Sequence, residues 1–78
     1  MDVRVDENLW ATSMAPEGLL ERWRVASNVH VGRGETVAEV LIEDSRHEII
    51  SPSDGRLVHL AHPGDVVEPG ALIGRIGS

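Results

Sequence analysis

The chain has 78 residues, no cysteine, seven arginines as its only lysine-or-arginine cations, and a formal charge of −6. The cysteine and lysine counts exclude disulfides, thiolate metal sites, a thiol nucleophile, a Schiff base and any cofactor amide-linked to lysine, and the acidic balance argues against nucleic acid or an anionic membrane surface as partner. The length fits one domain, read as residues 1–78. No apolar run approaches the ~20 residues of a membrane span, and Met1–Glu7 lacks a basic-then-apolar leader, so a cytoplasmic location is expected.

The first apolar run is Val3–Val5, read as a strand. Asp6–Pro16 reads as a long loop carrying Leu9, Trp10 and Met14. Leu9 and Trp10 either fold back over the core or stand out as a contact patch, and a small core favours the first. Leu19–Val25 follows Pro16 and Gly18 and contains the β-favouring Trp23 and Val25, so it reads as a strand rather than a helix. Thr36–Ile42 and His47–Ile50 are two strands around Glu43-Asp44-Ser45-Arg46, a polar quartet that predicts an exposed hairpin tip. Arg56–Ala61 and Ala71–Ile76 complete the set. Short strands with Gly and Pro punctuation every ~8–12 residues predict an all-β barrel or sandwich.

The chain also repeats itself. Asn28-Val-His-Val-Gly-Arg-Gly34 is followed by Val37 and Val40, and thirty-six residues later Gly64-Asp-Val-Val-Glu-Pro-Gly70 is followed by Ile73 and Ile76. Each copy opens on a residue that tolerates positive φ, points a Val inward and closes on Gly. A two-fold repeat predicts a closed, pseudo-symmetric unit whose halves bury each other's apolar faces.

These segments resemble the biotinyl/lipoyl domain family, the swinging-arm carriers of 2-oxo acid dehydrogenases and biotin carboxylases. Gly64-Asp65-Val66-Val67-Glu68-Pro69-Gly70 matches the family's G-D-x-V-x-x-G turn. Ser51-Pro52-Ser53-Asp54-Gly55-Arg56-Leu57 matches its A-P-x-x-G-x-[VIL] segment, and Gly18-Leu-Leu-Glu-Arg-Trp23 is similar to its second strand. The resemblance runs from about Val3 to Ile76. It implies a flattened β-barrel of two four-stranded antiparallel sheets with quasi-two-fold symmetry. It also implies a modified lysine eight residues before the Pro of the second motif, and that position is Asp44. The family's D-K-A triplet reads Glu43-Asp44-Ser45 here. The resemblance implies lipoate or biotin, but neither can be attached through a lysine this chain lacks, so no cofactor is expected.

Several groups invite chemistry. Asp44-Ser45 is either a pair of ordinary turn residues or, by analogy with acyl carriers, an attachment point for an arm on Ser45. His30, His47, His59 and His62 match no zinc spacing and read as surface side chains, with no metal expected. Glu39, Glu43, Asp44 and Glu48 read as an acidic, solvated protrusion that steers toward a basic partner. Ser45, His47 and Glu48 lie too close along one hairpin to form a catalytic set, so no enzyme activity is expected. The loop between the first two strands lies near the hairpin in the family, so Glu43, Asp44, Ser45, Arg46, Leu9, Trp10 and Met14 are the candidate partner-binding residues. The expected function is a non-catalytic protein-interaction module of a 2-oxo acid dehydrogenase-type or biotin-dependent complex. Two alternatives stand beside it: a carrier with its arm on Ser45 or held non-covalently, and a purely structural lipoyl-like domain.

Overall fold

The computed structural model describes residues 1–77, which form eight strands and one 3₁₀ turn. The strands are β1 (Asp2–Arg4), β2 (Gly18–Trp23), β3 (Val29–Val31), β4 (Thr36–Ile42), β5 (Ser45–Ile50), β6 (Gly55–His59), β7 (Val66–Val67) and β8 (Leu72–Gly77). They make two four-stranded sheets with the orders β1-β8-β6-β3 and β5-β4-β2-β7. All neighbours are antiparallel. The expected architecture is therefore present, and the described chain is flattened, 37 × 21 × 16 Å.

The pseudo-symmetry is visible in the strand orders. Replacing each strand by the one four places along the chain converts one sheet into the other. The turns carry the same relation. Asn28 has φ 70° and its counterpart Gly64 has φ 96°, while Gly34 and Gly70 have φ 85° and 84°. The Asn28 amide donates to the Leu57 carbonyl (2.6 Å), and the Gly64 amide donates to the Leu20 carbonyl (2.8 Å). Only these residue types hold left-handed backbone at low cost, which is why Gly and Asn recur at the sequence spacing of the repeat.

Between the sheets lies one apolar core. Alternation on the strands fills it. Leu20, Val40, Leu57 and Ile76 face inward, and Val31 and Val67 occupy equivalent places at the short strands β3 and β7. The repeat predicts both valines in the core and turns around them, where the structure has these two short strands. Two or three residues of pairing are too few to show as an alternating run.

The halves differ at one residue. On β2, Leu20 pairs with Val40 and Arg22 with Glu39, so Glu21 is a bulge. On β6 the equivalent pairs, Leu57 with Ile76 and Val58 with Arg75, run on without one. A bulge bends its strand and re-aims the side chains around it. Here it brings Arg22 and Arg24 onto the buried carboxylate of Glu39.

Two expectations need correcting. The Asp6–Pro16 loop contains a 3₁₀ turn, Glu7–Trp10, capped by the Asp6 carboxylate accepting from the Asn8 amide at 2.9 Å. Its capping signal is a single Asp with no apolar period behind it, too weak to read from sequence. His59 is not a free surface side chain. It is half-buried and stacked on the Trp23 ring.

Candidate functional site

The β4–β5 hairpin closes through two residues, Glu43 and Asp44, with Ile42 paired to Ser45 across them. Glu43 sits at φ 54°, a left-handed conformation uncommon for any residue but Gly, Asn or Asp. Its carboxylate is also the most heavily used group at this end of the molecule. One oxygen accepts from the Ser13 hydroxyl (2.6 Å), the Met14 amide (2.9 Å) and the Ala15 amide (3.2 Å). The Ser13 hydroxyl, then the two amides, hold the Glu43 carboxyl below its ordinary range, with burial working in the opposite direction. Hydrogen bonds to the charged form have this effect. The hairpin tip is thereby clamped to the β1–β2 loop, contacts that join residues about thirty positions apart.

The clamp sorts the candidate residues. Met14 lies on the loop at 96% exposure, the most exposed of the large apolar side chains. Asp44, on the turn, and Ser45, the first residue of β5, are also exposed. Trp10, expected as a possible contact residue, is only 8% exposed and is withdrawn from the surface. A Cβ placed on Gly18 would meet the Leu41 carbonyl, Ile42 and the Trp10 ring. The indole thus packs over a glycine that leaves room for it. Leu9 is half-buried against the core. Arg46 turns away from the tip, its Nε 2.6 Å from Glu21 and 3.6 Å from Glu39.

Behind the tip, the outer face of the β5-β4-β2-β7 sheet carries an ion-pair web that sequence spacing did not reveal. Glu39, with 5% of its side chain exposed, accepts two bonds from Arg22 (3.1 and 3.3 Å) and one from Arg24 (2.8 Å). Arg24 also lies 3.6 Å from Glu48. The Arg22 hydrogen bonds lower the Glu39 pKa, burial opposes them, and Arg24 adds to the lowering. Glu39 is therefore a structural carboxylate. The register across β2 and β4, shifted by the bulge at Glu21, is the missing information.

Strand geometry also disposes of the catalytic set drawn from Ser45, His47 and Glu48. Ser45 and His47 project from one face of β5 and Glu48 from the other. The histidines do not assemble either. His59 faces Trp23 while His62 is 87% exposed and 3.9 Å from Asp65. Among the described residues no group of three His, Cys, Asp or Glu is placed to hold a metal. No helix among them is long and apolar enough to cross a membrane.

The family model described as "Biotin-requiring enzyme", that of the biotin/lipoyl family, matches residues 11–76. The fold is similar to the solution structure of the lipoyl domain of the 2-oxoglutarate dehydrogenase complex from Azotobacter vinelandii. That similarity has a TM-score of 0.74 at 18% identity and covers 97% of this chain and 96% of the other. No curated protein matches the chain.

Proposed function

We propose that this chain, which belongs to the biotin/lipoyl family, is a non-catalytic docking domain in which a fixed protein surface replaces the swinging arm. It works in the cytoplasm with a 2-oxo acid dehydrogenase-type or biotin-dependent complex, and residues 1–78 constitute one such domain. The observation that carries the reading is the Glu43 clamp. A tip that presents an arm by the family's amide linkage needs an amine at its apex, and this chain has no lysine anywhere. Instead the turn is tied by three hydrogen bonds to the loop that carries Met14. The result is a tip and loop held together through the backbone, presenting the exposed Met14 side chain and the exposed Asp44. Such a surface fits a partner with an apolar recess rimmed by basic side chains. Little ordering entropy is then lost on binding.

Resonance-by-resonance titration of the labelled chain tests this. The probes are the purified decarboxylase component of a 2-oxo acid dehydrogenase and a biotin carboxylase from the same cells. Shifts confined to Met14, Asp44 and Ser45, and weakened by Met14→Ser, support docking through the tip. Saturating additions that move no resonance at residues 13–15 or 43–45 sink the proposal. Ser45 is exposed, as an arm on its hydroxyl would require. That alternative is separated by mass rather than by binding.

A further inference from the structure

Each sheet has two edges, and three of the four edge strands are short: β1 and β3 have three residues and β7 has two. The fourth, β5, has six, Ser45–Ile50. Among the described residues only β4 pairs with it. Proteins blunt such an edge with Pro, Lys, a bulge or a covering segment. β5 contains no Pro or Lys, and the irregularity in its ladder falls on the β4 side, between Thr36 and Ala38.

The exposed edge has a defined chemistry. The Ser51 amide donates back to Glu35 on the β4 side. Because backbone direction alternates along a strand, the odd-numbered amides of β5 face β4 and those of Arg46, Glu48 and Ile50 face outward. The same alternation puts the Arg46 and Glu48 side chains together on the outer face of the sheet, Arg46 opposite Leu41 and Glu48 opposite Glu39. Like charges directly opposite each other disfavour pairing. Glu48 is relieved only by Arg24, at 3.6 Å.

We propose that β5 pairs antiparallel with β5 of a second copy of this chain, in the register centred on His47. Parity, charge and strand length select that register. A two-fold axis that continues the sheet requires opposed residues to face the same way, so the pairing must centre on a residue. Centring on Arg46 opposes Arg46 to itself and Glu48 to Asp44. Centring on Glu48 opposes Glu48 to itself. Centring on Ser45 would also oppose Arg46 to a carboxylate, Asp44, but would run the pairing off β5 into the turn, and centring on Ile49 opposes Glu48 to the uncharged Ile50. Centring on His47 opposes Arg46 to Glu48 twice, and both residues present their outward amide and carbonyl groups to each other. The pair forms four backbone hydrogen bonds and two opposite-charge contacts, and it turns two four-stranded sheets into one of eight strands. The tip residues Met14 and Asp44 play no part in the charge match, so this inference is independent of the docking proposal.

Sedimentation equilibrium of the purified chain, from micromolar to millimolar, reads the outcome directly. A mass rising toward twice that of one chain is expected. Glu48→Pro removes an outward amide, which an edge strand tolerates, together with the exposed carboxylate beside Arg24, and should leave a folded monomer. Arg46→Glu and Glu48→Arg should each be monomeric alone. Mixed in equal amounts they should dimerise again, because the two reversals restore opposite charges at both contacts. A wild-type chain that stays monomeric at every concentration overturns the proposal. So does a dimer that survives Glu48→Pro, which would use another surface. A mixture that stays monomeric overturns the register.

Discussion

Trp23 and His59 stack ring on ring, with centroids 3.9 Å apart and planes 8° from parallel, and each is the other's counterpart in the internal repeat. Their hydrogen bonds are reciprocal. The Trp23 indole donates to the Ala61 carbonyl at 3.0 Å, two residues past His59. His59 Nε2 lies 2.8 Å from the Val25 carbonyl, two residues past Trp23. A carbonyl can only accept, so Nε2 carries the proton. Two rings with equivalent roles thus meet where the two halves of the barrel meet.

This relation makes an exchange testable. Trp23→Ala should lower stability by about 3 kcal/mol, the usual range for a large aromatic lost from a packed site. His59→Ala should cost about 1–2 kcal/mol through the lost stack and the unpaired Val25 carbonyl. The double exchange Trp23→His with His59→Trp should cost less than the two alanine changes together, since each ring regains an equivalent carbonyl. Urea unfolding of the four proteins checks this. A double exchange as damaging as both truncations would show that the site is not pseudo-symmetric in energy.

The Glu43 clamp has a pH signature. The folded carboxyl titrates below its reference value of 4.5, so the clamp's contribution is complete above that pH. It is lost as pH falls through the lower folded value. The Met14 and Ala15 amide resonances should shift in that acid window, and Glu43→Gln should abolish the shift. Amides that titrate instead with an ordinary exposed carboxylate would contradict the clamp.

Glu39 follows the same sign, because its pKa is also lowered in the folded state. Its pairing with Arg22 and Arg24 stabilises the chain above the ordinary carboxylate range and fails as pH falls through the lower folded value. Glu39→Gln should therefore reduce stability at neutral pH and flatten its acid decline. Thermal unfolding between pH 7 and pH 3 reads this, and an unchanged acid slope would count against the buried carboxylate as its source.

The glycines separate strain from space. Gly70 has φ 84° with nothing within 4 Å of where a Cβ would sit. Gly70→Val should thus cost at least ~1 kcal/mol through backbone conformation alone. A Cβ on Gly55 would run into the Gly77 carbonyl oxygen and Ile76 at φ 150°, so Gly55→Ala should cost more than Gly70→Ala. Equal losses in urea would mean that the close approach of β6 and β8 relaxes freely.

Much of this was legible in the sequence, for reasons that particular residues supply. Gly34, Gly70 and Asn28 announce left-handed turns, and their spacing exposes the repeat. Thr36–Ile42 is a strand of the expected length, and the turn falls within the polar quartet Glu43–Arg46, but Ser45 and Arg46 belong to β5 and only Glu43 and Asp44 close the hairpin. Contacts across the repeat were not legible. Nothing local links Glu43 to Ser13, Trp23 to His59 or Arg22 to Glu39. Each depends on register between strands, and the Arg22 pair depends on a bulge that no spacing rule reveals. Trp10 was ambiguous for a related reason. Its burial is set by Gly18 and Ile42, which the loop sequence does not contain.

The apex itself can be converted. Asp44 occupies the place where the family resemblance puts the modified lysine, on a turn the structure leaves exposed. Asp44→Lys should be acylated by a lipoyl or biotin ligase in vitro, detected as the corresponding mass gain on that residue. Refusal by every such ligase would mean that the clamped tip no longer has the shape those enzymes accept.

The central claim is that this domain acts through its own surface and carries no arm. The intact mass of the protein purified from its native host tests it most directly. The mass of the bare polypeptide is expected. An added mass that maps to Ser45, or to any other residue from 43 to 46, would contradict the claim and return the domain to the carriers.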